Sequence, residues 1–114
     1  MRVRTLAGVL ATLAVATGAA IPAFAAGTGH SASSHTVTLS HIRFHPPALS
    51  IKRGDTVTWL WQDKGNEHNV TGKGFKSRTM AKGSFSVRFT KAGTFNYHCT
   101  IHVSEGMVGK VVVH

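Results

Sequence analysis

From residue 36 to the C-terminus, apolar and polar side chains alternate with a period of two, and nothing there reads as a long amphipathic helix. The clearest run is Thr56-Val57-Thr58-Trp59-Leu60-Trp61, which places Val57, Trp59 and Trp61 on one face. Ser84-Phe85-Ser86-Val87-Arg88-Phe89-Thr90 turns Phe85, Val87 and Phe89 inward in the same way. Residues 94–99 set Phe95, Tyr97 and Cys99 on one face, with Asn96 and His98 on the other. A β-branched stretch at 36–42 and a closing run at 108–113 bracket these. Pro46-Pro47 makes 44–51 an edge or loop followed by a short strand. Arg53-Gly54-Asp55 and Lys91-Ala92-Gly93 read as turns, and residues 62–66 as a loop. Residues 71–81, with glycines, lysines and no periodicity, read as a surface excursion. Six to eight short strands separated by turns predict an all-β sandwich, whose loops gather at its two ends.

The first residues carry a different signal. Arg2 and Arg4 precede an apolar, alanine-rich run from 6 to 20, and Ala23-Phe24-Ala25 fits small-x-small cleavage. Residues 1–25 are therefore expected to be a secretory signal peptide, since the apolar run is too short for a membrane anchor. Residues 26–35 read as a flexible polar tail, and residues 36–114 as one domain. Export places the protein outside the cytoplasm, in a periplasm, a cell envelope or the medium.

Charge and cysteine content narrow the chemistry. The chain is formally +9, and +7 once Arg2 and Arg4 are gone. Nucleic acid is the usual partner for such charge, but export argues against it. Acidic proteins or an anionic envelope surface fit better, because charge raises encounter rates without specifying a site. Cys99 is the only cysteine, so one copy of the chain has no internal disulfide. A free thiol is oxidised outside the cytoplasm unless a metal or burial protects it.

Metal-binding groups surround that cysteine. It opens Cys99-Thr100-Ile101-His102-Val103-Ser104-Glu105-Gly106-Met107, and His68 lies upstream in Glu67-His68-Asn69-Val70. Two imidazoles, a thiolate and a thioether are the donor set of a mononuclear copper site with a weak axial sulfur. Cys-x2-His by itself also occurs in zinc sites, but zinc prefers four strong donors and a methionine is a poor one.

The segment Gly93-Thr94-Phe95-Asn96-Tyr97-His98-Cys99 through Gly106-Met107-Val108-Gly109-Lys110-Val111 resembles the C-terminal half of the cupredoxins. Within that family it looks like the plastocyanin and pseudoazurin type, because four residues separate His102 from Met107 where amicyanin-like members have fewer. His68-Asn69-Val70 resembles the family's first-histidine motif, and Gly54-Asp55-Thr56-Val57-Thr58-Trp59 its N-terminal half. The resemblance implies a Greek-key β-sandwich, a type 1 blue copper ion alternating between Cu(I) and Cu(II), and one-electron transfer. It makes His68, Cys99, His102 and Met107 the ligands, and sets Asn69 beside Thr100 around them. It also implies that electrons leave through an apolar patch at the edge of His102, toward redox partner proteins, from a monomer.

This chain departs from the photosynthetic plastocyanins at His98, where a tyrosine is frequent, and in being basic. Its partner is expected to present an acidic docking surface. Lys73, Lys76, Arg78 and Lys82 read as a solvated loop that could also rim such a contact. By alternation His98 is an ordinary surface or packing residue. His30, His35, His41, His45 and His114 have no metal-binding spacing, apart from a square-planar option at His30 if cleavage fell after Gly27. An extracytoplasmic copper chaperone or storage and delivery protein is the alternative function. An enzyme is disfavoured, since the sequence holds no second metal cluster or nucleophile–base set.

Overall fold

In the computed structural model, residues 31–114 are described, and Ala32–His114 forms one compact unit. The expected signal segment 1–25, the start of the expected tail and His30 lie outside the described residues.

Nine strands occur among the described residues: β1 (Ser34–Ser40), β2 (Arg43–His45), β3 (Ala48–Ile51), β4 (Thr56–Trp61), β5 (Thr71–Gly72), β6 (Phe75–Lys76), β7 (Gly83–Arg88), β8 (Gly93–His98) and β9 (Val108–Val113). They form two sheets, ordered β2-β1-β4-β7 and β3-β9-β8-β5-β6. Both are mixed, with β1 parallel to β4 and β3 parallel to β9. The fold is the all-β sandwich expected.

Two details differ. β1 takes in Ser34 and His35, the end of the segment read as a tail. Residues 71–81 are also more than a surface excursion: β5 and β6 make a hairpin that extends the second sheet, and Ser77 is buried beneath it. Two-residue strands are too short to show alternation, which is why the count exceeds eight.

Alternation fixes the core. Val57, Trp59 and Trp61 are buried along β4 while their neighbours are half-exposed. Trp59 sits at the centre, stacked on Phe75 at 5.7 Å and edge-on to Tyr97 at 5.2 Å between ring centroids. Such aromatic pairs add ~0.5–1.5 kcal/mol each beyond area burial. On the outer face, Thr58 and Ser86 hydroxyls bond across the β4–β7 pair at 2.7 Å.

Pro46-Pro47 ends β2, an edge strand of the first sheet, and the chain resumes as β3, an edge strand of the second. Proline carries no N–H for a ladder, so the chain changes sheets there. Asp55, just before β4, is buried and accepts from the Ser33 and Lys52 amides and from His35 Nε2. It fastens one end of the sandwich. Six residues of β4, about 20 Å of chain, separate Asp55 from the other end, where the donor residues gather.

Candidate metal centre

His68 follows the loop after β4 and is fully buried. Its backbone exchanges two hydrogen bonds with Met80, of 2.9 and 3.0 Å, and its carbonyl accepts from Trp61 Nε1 at 3.1 Å. The His68 backbone is therefore held by three hydrogen bonds. Cys99 comes directly after β8 and is buried, and His102 is half-buried three residues on. A 3₁₀ turn at Val103–Glu105 follows, closed by Gly106 at φ 87°, a left-handed conformation that glycine adopts at no steric cost. The turn returns the chain so that the Cys99 amide donates to the Met107 carbonyl at 3.1 Å and the Met107 amide to the His102 carbonyl at 3.2 Å. Met107 is fully buried.

These elements bring three of the four predicted donors together. His68 Nδ1 and His102 Nδ1 are 3.1 Å apart, and Cys99 Sγ lies 3.9 and 3.6 Å from them. The three donor atoms all fall within 4.8 Å of one another. Bonds of about 2.0–2.3 Å to a central ion put trigonal donors roughly 3.5–4 Å apart, so the cluster has the dimensions of a metal site. Its two imidazole nitrogens and one sulfur suit copper. Backbone bonds to Cys99 and His102 place Met107 next to both in the chain's return.

Hydrogen bonding selects the histidine atom offered. His68 Nε2 lies 2.7 Å from Asp63 Oδ2. An ionised carboxylate only accepts, so the Nε2 proton points to Asp63 and the Nδ1 lone pair faces the cluster. Burial raises the Asp63 carboxyl, but bonds from His68, the Ile42 amide and Asn66, with the His68 charge, outweigh it and lower its pKa to about 2. Asp63 thus stays charged over the working pH range.

Asn69, buried beside His68, bonds to the other donor loop. Its Nδ2 donates to Thr100 Oγ1 at 2.8 Å and Thr79 Oγ1 at 3.0 Å, and its Oδ1 accepts from the Thr100 amide at 3.0 Å. The placement of Asn69 beside Thr100 that the resemblance implies is therefore present. Sequence reasoning passed over Asp63, Arg43 and Met80. An acid in a Gly-Asn loop reads as turn chemistry, and a methionine in an aperiodic stretch carries no pattern.

Around His102 the surface is apolar. Ile101, Val103 and Val108 are each about half exposed. Val103 and Val108 line a groove of about 500 Å³ with Pro47, His98 and Lys110. His98 faces this groove, on the side of β8 away from the core.

Fold and site together define a small β-sandwich protein with a buried mononuclear centre of two nitrogens and one sulfur at one end. The family described as copper binding proteins, plastocyanin/azurin family, matches residues 31–114. The chain belongs to that family, and copper is the metal its donor set serves. It is 40% identical over 84 residues to amicyanin of Paracoccus denitrificans, covering 68% of this chain and 63% of that protein. It is 32% identical over 87 residues to the chloroplastic plastocyanin of Tetradesmus obliquus, covering 61% of this chain and 57% of that protein. The chain thus spans less than two thirds of either relative. Among solved structures, a Cu(I) form of an amicyanin variant superposes with a TM-score of 0.62 at 37% identity, covering 71% of this chain and 82% of that one. Amicyanin stands beside plastocyanin, so the plastocyanin-length interval from His102 to Met107 does not sort the chain to one branch.

Proposed function

We propose that this protein is an exported one-electron carrier, not an enzyme, with His68, Cys99, His102 and Met107 as the ligands of one type 1 copper ion. Copper supplies the one-electron couple between Cu(I) and Cu(II). The chain supplies a frame that holds one donor geometry for both states. His68 is locked by Asp63, Trp61 and Met80, and the Cys99 loop by Asn69. Burial of His68, Cys99 and Met107 keeps water from the donors, and half-buried His102 is the exit edge. The convergence of His68 Nδ1, His102 Nδ1 and Cys99 Sγ carries this reading. Asn69 and Thr100 orient the donors from outside.

A copper chaperone or store would hand its ion over, which favours an open site; three fully buried donors favour electron transfer instead. The apolar rim of Ile101, Val103 and Val108 supports a docking face around His102. Lys110 lines the groove beside Val103, and Lys64 and Lys82 line a separate recess with Asp63. A redox partner with an acidic rim fits that charge, and the signal segment read from residues 1–25 places the meeting outside the cytoplasm.

Addition of Cu(II) to the protein lacking residues 1–25 tests the assignment. A strong thiolate-to-copper band near ~600 nm, lost in Cys99→Ser, is expected, with a reversible one-electron midpoint. A colourless protein, or one that passes Cu(I) rapidly to an acceptor chelator, would overturn it.

A further inference from the structure

The link between β1 and β2 breaks the usual turn rule. Ser40 pairs with Arg43, leaving a two-residue loop of His41 and Ile42, both at positive φ (53° and 54°). Two-residue hairpin loops of this kind favour Asn-Gly, because a side chain at positive φ is strained. A β-branched residue there is an outlier that persists only where surrounding contacts hold it.

Those contacts lead to the metal centre from both sides. The Ile42 amide donates to Asp63 Oδ2 at 3.0 Å, the same oxygen that holds His68 Nε2. The Ile42 carbonyl accepts from Arg43 Nη1 at 2.9 Å. That same Nη1 donates to the Glu105 carbonyl at 2.8 Å, in the turn between His102 and Met107. One continuous strap therefore runs His68–Asp63–Ile42–Arg43–Glu105. It joins the two donor loops outside the ligand sphere, and between its ends the only side chains it uses are Asp63 and Arg43.

We infer that Arg43 is a positioning residue of the metal centre, which fixes the His102–Met107 turn to the Asp63–His68 pair through the strained Ile42 peptide. This rests on the proposed copper site. The turn at Val103–Glu105 has no side-chain cap and buries none of its residues. The Glu105 and Gly106 amides bond within the turn, and the Arg43 bond ties the Glu105 carbonyl to the other sheet. An Arg43 tether supplies from outside what the short turn lacks within.

The test begins without metal. In the apoprotein, amide hydrogen exchange at Gly106 and Met107 should be about tenfold faster in Arg43→Ala, the effect of losing one charge-assisted hydrogen bond. Arg43→Lys, which keeps the charge and can reach one carbonyl, should recover part of the protection. Lys91→Ala, which removes a distant charge, should leave it unchanged. After copper loading, Arg43→Ala should lower copper affinity about tenfold and shift the midpoint potential. Combined with Asp63→Asn, the two losses should be less than additive, because either one breaks the same strap. Unchanged exchange in Arg43→Ala would overturn the inference. So would faster exchange with affinity and potential both intact, or equal effects from Lys91→Ala. A parent protein that takes up no copper would instead overturn the proposed function, and the exchange data would still decide whether the strap exists.

Discussion

His68 presents Nδ1 to the donor cluster while its Nε2–H donates to the Asp63 carboxylate. Asp63→Asn keeps the shape and removes the charged acceptor, so copper affinity should fall about 10–100-fold, measured by chelator competition. Acid stability tests the same contact. The folded pKa is about 2 against ~3.9 for an unfolded aspartate. The stabilisation is therefore full above pH ~4 and is lost as pH falls from there toward 2. Acid denaturation of the apoprotein should show this limb, and Asp63→Asn should flatten it. Tyr97 behaves in the opposite sense. Burial pushes its hydroxyl up from 10 to about 12, against a lowering by the Trp59 side chain, and Oη has no hydrogen-bond partner among the described residues. Below pH 10 both folded and unfolded chains keep the proton. Between 10 and 12 only the folded one does, so stability declines as pH rises through that window. In Tyr97→Phe, denaturant midpoints should lose that decline and be no lower at neutral pH, since no hydrogen bond is removed.

At the scale of elements, the β8–β9 pair carries Cys99 and Met107 side by side at one end, where His98 pairs with Val108, so its register sets the separation of those two residues. Tyr97 stands opposite Gly109 in that register. A Cβ on Gly109 would lie 2.5 Å from Tyr97 Cζ and Oη, and the buried ring has nowhere to move. Gly109→Ala should therefore cost about 1–3 kcal/mol of overpacking, read by chemical denaturation. A wild-type midpoint would refute this account of the glycine. The β5–β6 hairpin uses the same device: a Cβ on Gly72 would meet the Phe75 ring at 2.5 Å. That hairpin was illegible in the sequence because its strands are two residues long, whereas β4, β7 and β8 are six each and their facing could be read directly.

For the whole molecule, charge decides the kind of encounter. The sequence has 13 lysines and arginines against four acids. Asp55 and Asp63 are occupied by internal hydrogen bonds, leaving Glu67 and Glu105 as the exposed acids. Arg2 and Arg4 aside, eleven of those basic residues and all four acids lie among the described residues, so the described surface carries an excess of positive charge. Association with an acidic redox partner should slow about tenfold or more between low and physiological salt, measured as the second-order rate of electron transfer in a stopped-flow instrument. A rate independent of salt would point to docking through the apolar rim alone.

The sequence by itself determined the strand faces of the sandwich and the run that holds Cys99 and His102, two of the three side chains that converge. Both are local properties: alternation is written in neighbouring residues, and Cys99, His102 and Met107 share one turn. Only the tertiary structure decided how the donors are held. The Asp63 contact with Ile42 spans 21 residues and the Arg43 contact with Glu105 spans 62. No spacing rule links such positions. A hydrogen bond forms between whatever groups the packed sheets bring within about 3 Å, and that meeting is a product of the fold.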